Sequence, residues 1–406
     1  MREQERQVFC SSIRKFGPIG LAYFTMLIAC GLPAHGQQPS QSDPVPASVQ
    51  PSQDTHPLGA IQSALAVAPK PTPDGKTQRP TAQPGMTGME SSGVSSQEVG
   101  MGNDMMGAAG LTPPGIMIGQ AKKWMVGYQV MFDNMNGNLI GSDRISDATV
   151  LEQFEATPTD MTMQMHMGMV MYAPTDKLTL MAMLPYIRKS MNHITRDGTR
   201  FTERTSGIGD LELRGLYSLY AQKDLRHRFL LNAGIGVPTG SINRTMEDMR
   251  LEYPMQLGSG TYSLLPGITY LGQTAHWGWG AEFIPTLRLG RNSNGYRLGN
   301  RYQSSIWVAR ELTRSVTLSA RANGEVWRNI RGVDAALDQM DEPTKDPTLQ
   351  GGKRLDLLLR ITFHPVEGIF KGQQFFAEAG APVVQSLDGP QLQRRWVARL
   401  GSQWEF

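Results

Sequence analysis

After about Gly119 and to the last residue, apolar and polar side chains alternate with a period of two. That period sends successive side chains to opposite faces of a β-strand. Along His276 to Leu289, one face holds Trp277, Trp279, Ala281, Phe283, Pro285, Leu287 and Leu289. The other holds His276, Gly278, Gly280, Glu282, Ile284, Thr286 and Arg288. The same division recurs where Trp124, Val126, Tyr128, Val130 and Phe132 oppose Lys123, Gly127, Gln129 and Asp133, and where Leu211, Leu213, Tyr217 and Leu219 oppose Asp210, Glu212, Arg214 and Ser218. Further on, Val316, Leu318, Ala320 and Ala322 oppose Thr317, Ser319, Arg321, Asn323 and Glu325, and Leu355, Leu357, Leu359, Ile361 and Phe363 oppose Arg354, Asp356, Arg360 and Thr362. The last run sets Trp396, Ala398, Leu400, Trp404 and Phe406 against Arg395, Arg399, Gln403 and Glu405.

These runs and weaker ones predict about twelve strands, an even number. The connections APTDK, AQKDLRH, GQTAH, ELTRS and PVEGIFKG follow every second strand and are short, whereas residues 134–159, 241–257 and 329–352 form longer, more polar links. Short turns at one end, long loops at the other and an aromatic outer face predict an all-β fold, a transmembrane antiparallel β-barrel over 119–406. Such a sheet closes on itself because an open edge would leave backbone amides unpaired in hydrocarbon. Short turns then face the periplasm, and the apolar face meets outer-membrane lipid. The terminal Trp404, Glu405 and Phe406 resemble the end signature that the barrel-assembly machinery reads in Gram-negative bacteria, with Phe406 as the assembly signal.

The N-terminus is of a different texture. Arg14 and Lys15 precede an apolar run from Ile19 to Leu32, too short to span a bilayer and typical of a secretory signal over 1–36. Two exits stand open: cleavage after Gly36 in Ala34-His35-Gly36, or lipoprotein processing at Cys30 in Leu27-Ile28-Ala29-Cys30. Residues 37–118, rich in Pro, Ser, Gln and Gly, predict a disordered periplasmic leader. The 2 cysteines, Cys10 and Cys30, both lie in the signal, so no disulfide or thiolate chemistry is expected downstream. A net charge of only +3 over 406 residues, with no clustered basic stripe, gives no nucleic-acid partner.

Ser206-Gly207-Ile208-Gly209-Asp210-Leu211 with Tyr217, followed by Val237-Pro238-Thr239-Gly240, resembles the family of outer-membrane transporters named for the meta-pathway of phenol degradation. The resemblance implies uptake of small, often hydrophobic compounds. It also places the G-x-G-D stretch where an extracellular loop enters a strand.

Candidate chemistry then sits on the inner face. Asp210, Glu212, Arg214, Glu282, Arg288, Arg321, Glu325, Arg354, Asp356, Arg360 and Arg399 are candidate lumenal residues that sort solutes by size and charge. None of the 7 histidines is followed by serine two residues on, and G-x-S-x-G is absent, so neither an enzyme nor a cofactor is predicted.

The 24 methionines include six at alternate positions, Met161 to Met171, in MTMQMHMGMVMYAPTDKLTLMAMLPY. The even positions Thr162, Gln164, His166, Gly168 and Val170 hold the polar set, which belongs to the lumen, so the methionines are expected to face lipid. The next strand predicts Met181 and Met183 inward. Thioethers are soft ligands for Cu(I), so His166, Met181 and Met183 form a candidate metal set, with Met246, Met249 and Met255 in an outer loop and Met105 and Met106 in the leader. The expected function is a passive channel for small, hydrophobic or aromatic solutes. The alternatives are a plugged structural or interaction barrel and a copper-related outer-membrane protein, and the oligomeric state, including a homo-oligomer, stays open.

Overall fold

The computed structural model describes residues 121–222 and 226–406. The signal, the leader and the candidate ligands Met105 and Met106 lie outside them. The strands are β1 (Trp124–Gly141), β2 (Asp143–Ile145), β3 (Ala156–Thr175), β4 (Leu178–Thr195), β5 (Arg200–Ile208), β6 (Leu211–Ala221), β7 (His227–Val237), β8 (Thr245–Met246), β9 (Met249–Arg250), β10 (Ser263–Leu264), β11 (Gly267–Gln273), β12 (Trp277–Arg288), β13 (Arg301–Thr313), β14 (Val316–Trp327), β15 (Gly352–Phe363) and β16 (Gln373–Glu405). One short helix, α1 (Asp147–Leu151), is capped by Ser146, whose side chain accepts from Thr149 N. Among the described residues no helix is long and apolar enough to cross a membrane.

Antiparallel pairing runs β12, β11, β7, β6, β4, β3, β1, β16, β15, β14, β13 and back to β12, so the sheet is closed. The 33 residues of β16 serve as two staves: Phe375 to Leu387 pair with β15 and Leu387 to Glu405 with β1. The two halves lie side by side, since Gln385 bonds Arg394 and Phe376 lies against Gly401. First and last staves are joined at their ends by Trp124 N to Phe406 O, 2.9 Å, and Phe406 N to Trp124 O, 3.0 Å. The short connections at the Phe406 end and the long ones opposite match the expected barrel.

Outside, Trp124, Tyr128, Leu180, Leu213, Phe229, Trp277, Phe283, Leu318, Leu359, Trp396 and Trp404 are exposed, as a lipid-facing belt requires. Inside, side chains are packed together: Arg360, Arg399, Met131 and Met165 are among the most buried of the chain. The strands β1, β3 and β4 run 18, 20 and 18 residues, well beyond the roughly 9–11 a membrane strand needs, so this side of the wall projects past the bilayer.

Two expectations are corrected. In β3 the odd residues Met161 to Met171 are all buried, 3% exposed or less, while Thr162, Gln164, His166, Gly168 and Val170 lie on the outer face. The methionine row is lumenal and His166 is not. The reason is register: Met171 faces Met181, Met169 faces Met183 and Met165 faces Met131. Directly opposed residues point to the same side of a sheet. Inward Met181 and Met183 therefore require inward odd positions in β3. His166 instead meets the outward Tyr128 hydroxyl at 2.6 Å, so each polar group satisfies the other in the apolar belt.

The second correction concerns the G-x-G-D stretch. β5 and β6 both pair with β4, β5 against Tyr186 to Ile194 and β6 against Leu178 to Met183. They form one stave, and Gly209 and Asp210 make the break between them, with Gly209 N bonded to Pro185 O. The motif is thus a kink inside the wall rather than a loop entry.

The parity of β3 is checked by a nitroxide placed at residue 166 or 167. In lipid-reconstituted protein the label at 166 is expected to be relaxed by membrane-dissolved oxygen and the label at 167 shielded from it; equal accessibility at both sites would contradict the inward methionine row.

Candidate functional site

The lumen is the candidate site, and its wall divides into two chemical arcs. On β1, β3 and β4 the inner side chains are mainly thioethers: Met125, Met131 and Met135, then Met161 to Met171 at odd positions, then Met181, Met183 and Met191. Unbranched and polarizable, these side chains make a deformable apolar surface. The strip's far edge is polar, since Met181 faces Arg214 and Met183 faces Glu212, which pair with each other at 2.7 Å.

The second arc, on β13 to β16 and β1, is a lattice of charges. Arg301 Nε meets Glu325 Oε1 at 2.8 Å, Arg354 meets Glu325 Oε2 at 2.8 Å and Asp356 at 3.1 Å, and Arg394 meets Asp356 at 3.0 Å and Asp133 Oδ1 at 2.9 Å. The chain Arg301, Glu325, Arg354, Asp356, Arg394 and Asp133 alternates in sign from β13 to β1. Nearer the Phe406 end, the single carboxylate of Glu378 is shared by Arg321 at 3.2 Å, Arg360 at 2.9 Å and Arg399. One acid against three guanidiniums leaves that level of the lumen positive. Arg360 also lies over the Phe376 ring at 4.3 Å.

All eleven candidate lumenal charges therefore sit on the inner side, but in different company. Arg321, Arg360 and Arg399 converge on Glu378; Glu325, Arg354 and Asp356 join the ladder; Glu212 and Arg214 pair beside the methionines. Glu282 is buried and accepts from Thr269 Oγ1 at 3.1 Å. Asp210 and Arg288 belong to a third feature, a loop segment folded into the barrel.

Residues Leu251 to Ser259, between β9 and β10, are buried against the inner wall. Leu251, Met255 and Leu257 join the same apolar cluster as the methionine strip. Lys189, inward on β4, donates to Pro254 O and Gln256 O, 2.7 Å each, so a buried ammonium is satisfied by the segment's own backbone.

The kink in the β5/β6 stave holds the segment's end. Asp210 accepts from Gly240 N at 2.9 Å, Ser259 N at 2.9 Å and Ser259 Oγ at 2.5 Å, and Arg288 lies 4.0 Å away. Thr239 Oγ1 donates to Gly209 O at 2.7 Å and accepts from Leu211 N at 2.9 Å. Glycine is required where Gly240 and Gly258 meet: a Cβ on Gly240 would stand 2.6 Å from the Gly258 backbone, and one on Gly258 would stand 2.4 Å from Gly240 O. The two short motifs of the sequence are the two halves of one latch.

Near the projecting end of β4, His193 lies fully buried among Glu203 of β5, Glu252 of the inserted segment and Glu342 of the loop after β14. Burial holds the Glu252 carboxyl well above the usual carboxylate range, and the neighbouring Glu203 adds to this. Burial also opposes ionisation of Glu342, but His193 beside it brings this carboxyl below its ordinary value. Of the predicted metal set, Met181 and Met183 are lumenal and His166 lies on the opposite face, so the three do not converge. In the outer loop Met255 is buried in the inserted segment, Met246 packs against the methionine-rich apolar cluster and Met249 is exposed. Lys189, His193, Glu203, Glu252, Glu342, Glu378 and Arg394 escaped the sequence reading. The inward parity of Met181 and Met183 already implied Lys189 and His193, whereas no periodicity marks a loop residue that folds inward.

The family model described as "Putative MetA-pathway of phenol degradation" matches residues 151–346, which include both halves of the latch. An outer-membrane channel of Pseudomonas putida F1 is similar in structure at 14% sequence identity and a TM-score of 0.51, over 76% of this chain and 100% of that one. The toluene transporter of P. putida is also similar, at 12% identity and a TM-score of 0.35, over 71% of this chain and 90% of that one. No curated protein matches the sequence.

Replacing Asp210 by alanine removes a charged acceptor from three donors of the latch. The expected cost is about 2–4 kcal/mol in denaturant unfolding of the detergent-folded barrel, with Asp210→Asn costing less. Equal stability of D210A and the parent would show that the latch contributes nothing.

Proposed function

We propose that the chain is a passive outer-membrane channel for small apolar or aromatic solutes, with the methionine strip as its lane. The supporting observation is the continuity of that strip. Met161 and Met171 are ten residues apart on one strand, about 33 Å along it. At a tilt of about 40° this is about 25 Å along the barrel axis, the height of the apolar band itself. The row is buried, 3% exposed or less, so a solute with an aromatic or aliphatic body would meet thioether throughout the crossing as these side chains part. A ring beside sulfur gains a favourable contact that a sugar does not. The matched family, described by a pathway that degrades phenol, agrees with such a solute.

In this reading the positive level around Glu378 favours solutes with a carboxylate or phenolate group, and the ladder above it keeps the rest of the wall close to neutral. The inserted segment Leu251 to Ser259 narrows the lumen and sets how readily solute enters from outside. The N-terminal leader lies in the periplasm, and Phe406 serves as the signal for assembly. No energy source or cofactor is assigned, because a pore lets solute run down its own gradient.

The lumenal position of the row also favours a second reading, conduction of a soft monovalent cation such as Cu(I) by successive thioethers. The two readings differ in cargo but share the lane.

Vesicle uptake separates them. With Met165, Met167 and Met169 all changed to glutamine, benzoate uptake relative to gluconate is expected to fall about fivefold, equivalent to about 1 kcal/mol of lost apolar stabilisation. Retained heat-modifiable gel mobility would show that the variant still folds. The aromatic reading fails if benzoate and gluconate enter the parent equally fast. The soft-cation reading fails if Ag(I) entry into dye-loaded vesicles is unaffected by changing the same three residues to leucine.

A further inference from the structure

We propose that His193 and Glu252, with the flanking carboxylates Glu342 and Glu203, form a divalent-cation site that fastens the inserted segment to the barrel wall. The site stands on its own geometry; its consequence for permeation rests on the channel reading.

The imidazole is held in one plane. His193 is stacked on Phe201, with ring centroids 4.7 Å apart and planes 12° from parallel. Its Nδ1 lies 3.2 Å from Glu342 Oε2 without a hydrogen bond between them. Its Nε2 lies 3.9 Å from Glu203 Oε2 and 3.9 Å from Glu252 Oε1. Those gaps are too long for hydrogen bonds. They exceed the roughly 3.4 Å between two donors that each stand about 2.1 Å from a tetrahedral ion, so a bound ion would draw the donors inward.

The polar atoms around this point lack other partners. Glu252 is 0% exposed, and both of its oxygens, Glu203 Oε2 and His193 Nε2 are without a hydrogen bond among the described residues. The Lys345 Nζ is 3.8 Å from Glu342 Oε1 and is shared with Asp341 at 3.2 Å. Lys189, on the same strand as His193, is committed to the carbonyls of Pro254 and Gln256. Three buried carboxylates beside one shared ammonium and one imidazole leave negative charge for the interior to compensate. Two protons could neutralise it, but a divalent ion would also draw the 3.9 Å gaps closed. One imidazole nitrogen and two carboxylate oxygens suit Zn²⁺ or Mn²⁺ rather than the soft ions that thioethers select.

The four side chains come from four places in the chain. His193 and Glu203 are on β4 and β5, where His193 faces Phe201 and Met191 faces Glu203. Glu252 begins the buried turn Tyr253–Met255, and Glu342 begins Pro343–Lys345. An ion here would tie both long loops to the wall, at the end of the barrel opposite the short turns. With the ion bound, the segment over the methionine strip would be clamped at both ends, by the cation at Glu252 and by Asp210 at Ser259.

The test uses the full-length protein folded in detergent and stripped with EDTA. Titration with Zn²⁺ and with Mn²⁺ followed by gel filtration should leave one equivalent of ion bound. Glu252→Gln and His193→Asn should each weaken binding by about 10–100-fold, while Glu405→Gln, in a surface pair with Lys123, should not. Absence of retained ion, or identical retention in E252Q and the parent, would overturn the site, and proton neutralisation would then account for the cluster. In planar bilayers, the same ions added to the long-loop side should quieten current fluctuations of the parent but not of E252Q. Ion binding without any conductance would count against the channel reading alone. Conductance with no ion bound would count against this site alone.

Discussion

A backbone amide in hydrocarbon has no water to bond, and every other feature of this molecule follows from that constraint. It forces the sheet to close, which here is done by pairing Trp124 with Phe406 at the ends of the first and last staves. Closure turns a two-faced sheet into an inside and an outside with no edge between them. Each strand must then put one parity toward lipid and the other toward the lumen, and each neighbour inherits its parity from the last. The methionine row is inward because the staves on either side leave it no other choice.

Within the closed wall the two arcs solve the problem of a lined interior differently. The charged arc satisfies itself, acid against guanidinium, across five successive elements, so that charges removed from water keep partners. The thioether arc has nothing to satisfy and stays deformable. The inserted segment bridges the two modes: its apolar residues rest on sulfur, and its carbonyls and end residues are held by Lys189 and Asp210. Asp210 and Gly240 are thereby explained as a mechanical fitting rather than as pore chemistry.

The architecture was legible because period-two alternation is a property of single strands and needs no partner to be recognised. Strand number, turn lengths and the inner position of residues such as Arg321, Glu325 and Arg360 could all be read in this way. Strand β3 failed because its two faces, methionine against threonine, glutamine, histidine and glycine, do not differ in the usual sense. Polarity alone then points the wrong way, and only cross-strand register with β4 decides. The kink at Gly209 and Asp210 was visible as a motif, but its role was not, since Ser259 and Gly240 reach it from distant positions. The His193 cluster is drawn from residues 149 positions apart at its extremes, His193 and Glu342, and two of its members sit in loops where no pattern exists.

Sulfur in the lane carries a further consequence that concerns time rather than selectivity. A thioether is oxidised to a sulfoxide by peroxide and hypochlorous acid, and the product is polar, chiral and a strong acceptor. Oxidation anywhere along Met161 to Met171 would insert a dipole into the apolar track, with the neighbouring sulfurs too close to be bypassed. If solutes use the lane proposed above, the strip would become a chemical record of the oxidants the cell has met: each reaction would close a little of the path while the barrel, held by its backbone ladder, remains standing.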